Sequence, residues 1–187
     1  MVPHLGATSS GSKISLLRGG GEAAAPAQGM PTSAAIAAMN FKRRMHYLTV
    51  LPNGEVLATG GKSQNDPADY LDNNHWDGKE LVDLGSSVKA AESWNPATNT
   101  WTPLASAQKE RQYHSFSTLL PDGSVLTGGG GTCGACDVYG YQEPNFEIFK
   151  PPYLFNADGS PAAPPAISQA PTAGTPYASA FEVETPS

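Results

Sequence analysis

The chain has 187 residues, with 11 Lys and Arg against 17 Asp and Glu and a formal net charge of -6. Its one basic cluster is Lys42-Arg43-Arg44, which argues against a nucleic-acid surface or a polybasic membrane patch. No apolar run approaches the roughly 18 residues that a membrane span needs, and the 20 glycines and 17 prolines favour short strands and tight turns over long helices.

Length alone fits one domain, at about 100–200 residues each. The amino-terminal Met1-Val2-Pro3-His4-Leu5-Gly6 shows neither a charged n-region nor an apolar h-region, so nothing in the chain is expected to direct export. Residues 1–12 read as a lead-in, and 13–17 as a strand running into the glycine corner Gly19-Gly20-Gly21. Residues 23–28 read as a loop. Residues 32–39 are open between two readings: alanine-rich composition favours helix, whereas the repeat frame that follows calls for a strand.

That frame is set by two related stretches. Arg43-Arg44-Met45-His46 leads through apolar residues to Pro52-Asn53-Gly54 and Gly60-Gly61. Arg111-Gln112-Tyr113-His114-Ser115 leads in the same way to Pro121-Asp122-Gly123 and the run Gly128 to Gly131. Each reads as a β-hairpin ending in glycines, and two copies signal a repeat protein. The first unit predicts strands near 44–51, 55–60, 90–95 and 100–104, with a long excursion over 62–88 and a turn between Trp94 and Trp101. The second predicts strands at 113–120, 124–127 and 146–150, with a loop over 128–143. Gly54 and Gly123 lie 123 − 54 = 69 positions apart, more than the roughly 40–50 of propeller repeats, because of the 62–88 insertion. In an antiparallel meander, Tyr113-His114, the loop carrying Cys133 and Cys136, and the insertion share one end. Binding residues are expected there, on loops held by a rigid scaffold. After Pro151-Pro152-Tyr153-Leu154-Phe155 comes a linker-like turn region, 156–165. Residues 166–170 and 179–185 then suit the first two strands of a separate β domain.

The ordered series Arg-x-Tyr-His-Ser, Leu-Leu-Pro-Asp-Gly, glycine run, Cys-Gly-x-Cys and Pro-Pro-Tyr-Leu-Phe, most specific over 111–155, resembles the galactose oxidase and glyoxal oxidase-like copper radical oxidases. The resemblance implies an all-β fold. Residues 1–155 would form part of a kelch-type β-propeller, and 156–187 the linker and first strands of an immunoglobulin-like early-set domain. It implies a secreted oxidase that takes a small-molecule primary alcohol, aldehyde or carbohydrate with O2 and gives H2O2. Its copper would be held by an axial tyrosine and an equatorial histidine matching Tyr113 and His114, with Tyr113 also the catalytic proton acceptor. The family's cross-linked Tyr-Cys radical and its remaining histidine fall outside this chain. Cys133 and Cys136 match the family's short-loop disulfide. Between Ile36 and Phe41 there is no room for the fourth strand of the first partial blade.

Other readings stand beside these. Tyr113-His114 could be a mere repeat position, since His46 falls in the slot of His114. The second copy is one residue longer, however, and neighbours on a regular strand point to opposite faces, so an inserted residue suggests a bulge that re-aims one side chain. Cys133-Gly134-Ala135-Cys136 could be half a zinc site or a thioredoxin-type pair, although a second Cys pair and a strand-to-helix context are lacking. Trp94 and Trp101 read as packing residues, His75-Trp76 as surface aromatics, and Arg43 and Arg111 as hydrogen-bonding ties between blades. An open arc of blades leaves sheet faces uncovered, so the chain alone is expected to be inactive and marginally stable. The competing function is a non-catalytic kelch module that binds glycans or proteins; a decayed gene is a third.

Overall fold

The computed structural model describes residues 11–15, 32–63, 84–131, 141–171, 174 and 182–184. Cys133, Cys136, His75 and Trp76 lie outside them. The described residues are almost entirely β. Strands β1 (Gly11–Ser15) and β2 (Thr32–Ile36) form an antiparallel pair. Next, β3 (Tyr47–Val50), β4 (Val56–Thr59), β5 (Ala90–Asn95) and β6 (Thr100–Ser106) form a four-stranded sheet in sequence order. The third sheet is β7 (Ser115–Leu119), β8 (Val125–Gly129) and β9 (Phe146–Phe149), again in order. The open choice at 32–39 resolves as a strand over 32–36, with 37–39 neither strand nor helix: pairing with β1 overrides the helical preference of alanine. Among the described residues no helix is long and apolar enough to cross a membrane.

The two hairpin turns are built alike. Gly54 N–H donates to Leu51 O at 2.9 Å, and Gly123 N–H to Leu120 O at 3.0 Å. Proline follows the first residue of each turn, an Asn or Asp side chain accepts the amide two residues on (Glu55 N–H at 3.1 Å, Ser124 N–H at 3.0 Å), and glycine closes with φ of +84° and +83°. This is the three-residue hairpin in which a turn ends in a left-handed glycine. The connection from β5 to β6 is capped by Asn99 (φ +53°). Its Oδ1 accepts from Trp94 Nε1–H at 3.1 Å and from Ala37 N–H at 3.0 Å. Trp94 and Trp101 face each other across β5 and β6, and Trp101 Nε1–H donates to Ala37 O at 2.9 Å. Both indoles are packing residues, and Trp101 holds the segment that leads from β2 into the next sheet.

The core of the four-stranded sheet is its middle strand. Leu57 and Ala58 on β4 are wholly buried, as is Val125 on β8. Among these apolar residues sit buried charges in a repeated brace. Glu92, on β5, accepts Asn40 N–H at 2.7 Å, Phe41 N–H at 3.2 Å and Arg43 Nη2–H at 2.6 Å. Glu147, on β9, accepts Gln108 N–H at 2.7 Å, Lys109 N–H at 3.2 Å and Arg111 Nη2–H at 3.3 Å. In each sheet one third-strand carboxylate catches the incoming chain by two successive amides and an arginine. The guanidinium groups also reach Gly60 O and Ala90 O from Arg43, and Gly129 O and Asn145 O from Arg111. The arginine side chains therefore tie strands within one sheet, not one sheet to the next. The sheets are joined instead by Gly61 N–H to Arg111 O at 2.6 Å and by Thr49 Oγ1 to Ser117 Oγ at 2.8 Å.

The chain divides into two compact units, 1–149 and 150–187. In the second, a 3-10 turn over Pro152–Leu154 is followed by a closed loop. Asn156 N–H donates to Ser160 O at 2.8 Å, and Ala162 N–H to Leu154 O at 2.9 Å. The first part of the linker-like stretch is thus a hydrogen-bonded turn.

Candidate functional site

The ladders fix how the two lead-ins correspond. Val50 pairs with Val56 and Leu119 with Val125, so Tyr47 is equivalent to Phe116 and Gly60 to Gly129. On that register His46 matches Ser115, and Met45 matches His114. The backbone agrees, since Met45 and His114 share a left-handed conformation with φ of +55° and +59°. Likewise Arg44 O accepts Lys62 N–H at 3.0 Å where Tyr113 O accepts Gly131 N–H at 2.9 Å. His46 is therefore not the sister of His114, as the sequence suggested. The extra residue of the second unit is Gln112, between Arg111 and Tyr113. Nor is there a bulge: β7 and β8 pair without a break from Ser115–Gly129 to Leu119–Val125. The irregularity is a turn ahead of the strand, in which Ser115 N–H and Oγ–H both donate to Gln112 O, at 3.1 and 2.6 Å.

The positive φ of His114 decides what the two side chains do. It removes the pair from strand alternation, and the phenol and imidazole lie against each other, ring centroids 3.8 Å apart and planes 25° from parallel. Tyr113 is half-buried and His114 exposed. A left-handed histidine is uncommon, but Met45 shares the conformation, so the turn belongs to the repeat and what distinguishes the second unit is the pair of rings it carries. Beneath the turn, Gln112 is wholly buried, and its backbone N–H donates to Tyr141 Oη at 2.7 Å. Tyr141 is 1% exposed, and burial pushes its phenol above the usual tyrosine range. Gly130 (φ +135°) passes so close that a Cβ there would collide with the Tyr141 hydroxyl.

The two segments that open the long loops converge here, since Gly61 and Gly131 donate to the carbonyls of Arg111 and Tyr113. Sequence reasoning missed Gln112, Tyr141, Glu92 and Glu147. The length difference between the two copies was the signal for Gln112. A phenolate oxygen beside an imidazole nitrogen suits Cu(II) among the divalent metals, and the stack brings the two rings that carry these donor types together. Among the described residues no group of three or more His, Cys, Asp or Glu side chains gathers at one point.

No family model matches the chain. It is 33% identical over 132 residues to a galactose oxidase of Gibberella zeae, covering 71% of this chain and 17% of that protein. To the aldehyde oxidase GLOX1 of Arabidopsis thaliana it is 32% identical over 123 residues, covering 62% of this chain and 18% of that protein. The structure resembles that of a fungal alcohol oxidase of the AA5 family in complex with copper, with a TM-score of 0.66 and 28% identity. That match covers 87% of this chain and 29% of the other. The chain thus spans about a sixth of the length of the curated relatives it matches. With the tyrosine-histidine turn, the paired hairpins and these likenesses together, the chain belongs to a galactose oxidase-like family.

Proposed function

We propose that this chain is part of a secreted copper radical oxidase. Residues 1–155 would contribute blades to a kelch-type propeller, and 156–187 would open an early-set domain. The enzyme converts a primary alcohol or an aldehyde with O2. An alcohol loses two electrons and two protons to become an aldehyde, an aldehyde takes up water to become an acid, and in both cases O2 leaves as H2O2. The observation that supports this most is the stacked Tyr113-His114 pair on its left-handed turn. Copper, when bound, supplies the one-electron redox chemistry together with a cross-linked Tyr-Cys radical expected outside this chain. Tyr113 and His114 would hold the metal through phenolate oxygen and imidazole nitrogen. Tyr113 Oη also takes the proton from the substrate hydroxyl. Cys133 and Cys136 would form the short-loop disulfide that the family resemblance implies.

Cu(II) titration of the chain, followed by NMR, tests the site. Substoichiometric Cu(II) is expected to broaden the Tyr113 and His114 ring signals first, and His114→Ala to abolish the broadening at Tyr113. Broadening centred on His46 or His75, with His114 spared, would falsify the copper assignment. The non-catalytic kelch module would then be the better reading.

A further inference from the structure

We infer that Tyr141 is a positioning residue for the Tyr113-His114 pair. This deepens the copper-site proposal and rests on it for function, though not for geometry. The second unit differs from the first by one inserted residue, Gln112, and that residue is wholly buried. Insertion of a residue ahead of a strand leaves its amide without a ladder partner, and a buried amide needs one. Tyr141 Oη accepts it at 2.7 Å. The Gln112 carbonyl closes the turn, taking both the N–H and the Oγ–H of Ser115. Gln112 is thus gripped from both sides, and the two residues gripped between Gln112 and Ser115 are Tyr113 and His114. Gly130 completes the device, since any side chain there would strike the Tyr141 hydroxyl. The first unit has no inserted residue, and Arg44 and Met45 stand where the second has its stacked rings. The phenol of Tyr141 holds the Gln112 amide, one residue ahead of the pair, so its effect is orientation.

Tyr141→Phe in the full chain removes the oxygen and keeps the ring. The stack itself is read without metal, from the ring-current displacement that Tyr113 imposes on the His114 imidazole protons. That displacement is expected to collapse in Tyr141→Phe, with faster hydrogen exchange at the Gln112 amide. The Cu(II) concentration for half-broadening of His114 is expected to rise about 10–100-fold, the usual effect of losing an orienting partner. Gly130→Ala, which keeps the hydroxyl but displaces it, is expected to collapse the same displacement. If the variants fold with the His114 shift unchanged, or if neither folds, Tyr141 belongs to the scaffold and the inference is overturned. If the displacement collapses but Cu(II) never touches His114 in the unaltered chain, the positioning stands and the copper reading fails.

Discussion

His46 shows how much a single register position matters. Its side chain is half-buried, its Nδ1 is buried without a hydrogen-bond partner, and its pKa lies at about 4. Burial is the main cause, the Arg43 charge adds to it, and Glu92 opposes both. The unfolded chain, at about 6.5, therefore binds this proton more tightly than the folded one. Stability from this group is complete above pH 6.5 and drains as pH falls towards 4, by on the order of 3 kcal/mol in all. Glu92, held below its usual range by Arg43 and Asn40 despite the opposing effect of burial, loses its contribution only below about 4.5, so the windows separate. Urea midpoints between pH 4.5 and 6.5 are expected to fall with acid in the unaltered chain and to stay nearly level in His46→Gln. An equal slope in both would remove His46 as the cause. Sequence alone pairs His46 with His114 because both are histidines before an apolar run. Only the ladder shows that one is a neutral packing group and the other sits one place earlier, in a left-handed turn.

At the scale of elements, the hairpins were legible because their turn chemistry is local: proline, Asn or Asp, and glycine each do a fixed job within four residues. The Glu92 and Glu147 braces were not. A glutamate inside a strand reads as solvent-facing, and nothing within a few residues shows that Arg43, 49 positions away, meets it. Arg43 and Glu92 were inseparable once seen, since each is buried and each would be an uncompensated charge without the other. Glycines divide along the same line between local and distant causes. Gly54 has nothing within 4 Å of a Cβ, so Gly54→Ala costs only left-handed strain, about 1–2 kcal/mol. A Cβ on Gly60 would strike the Arg111 carbonyl, which also takes the Gly61 amide from the neighbouring sheet. Gly60→Ala adds overpacking to the same strain, for about 2–5 kcal/mol in total, and should loosen one sheet from the other. Denaturant midpoints rank the two; equal costs would mean that the sheet junction yields freely.

For the first compact unit as a whole, register sorts each sheet into two faces. In the four-stranded sheet, Leu48, Val50, Ala58 and Glu92 share one face, and Thr49 lies on the other. In the three-stranded sheet, Ser117, Leu119, Thr127 and Glu147 share the corresponding face, with Phe116, Leu126, Phe146 and Ile148 opposite. The contact of Thr49 with Ser117 shows that the second face of one sheet packs on the first face of the next. Such head-to-tail stacking leaves apolar residues exposed at both ends, on β3 of the first sheet, where Ala58, Glu92 and Trp94 of the same face are covered, and on the far face of the last. Val50 is 68% exposed at one end, and Phe146 is 68% exposed at the other. Each exposed patch is equivalent by register to one that lies at the junction of the two sheets, so two copies are expected to stack as the two sheets do, in a heterologous contact that does not close on itself. Light scattering of the chain should then rise with concentration without a plateau at dimer. Val50→Lys and Phe146→Lys each spoil one face and keep the other. Either variant alone is expected to remain monomeric, whereas an equimolar mixture forms a dimer capped at both ends. A mixture that stays monomeric, or single variants that still assemble, would mean that the exposed patches meet in some other way.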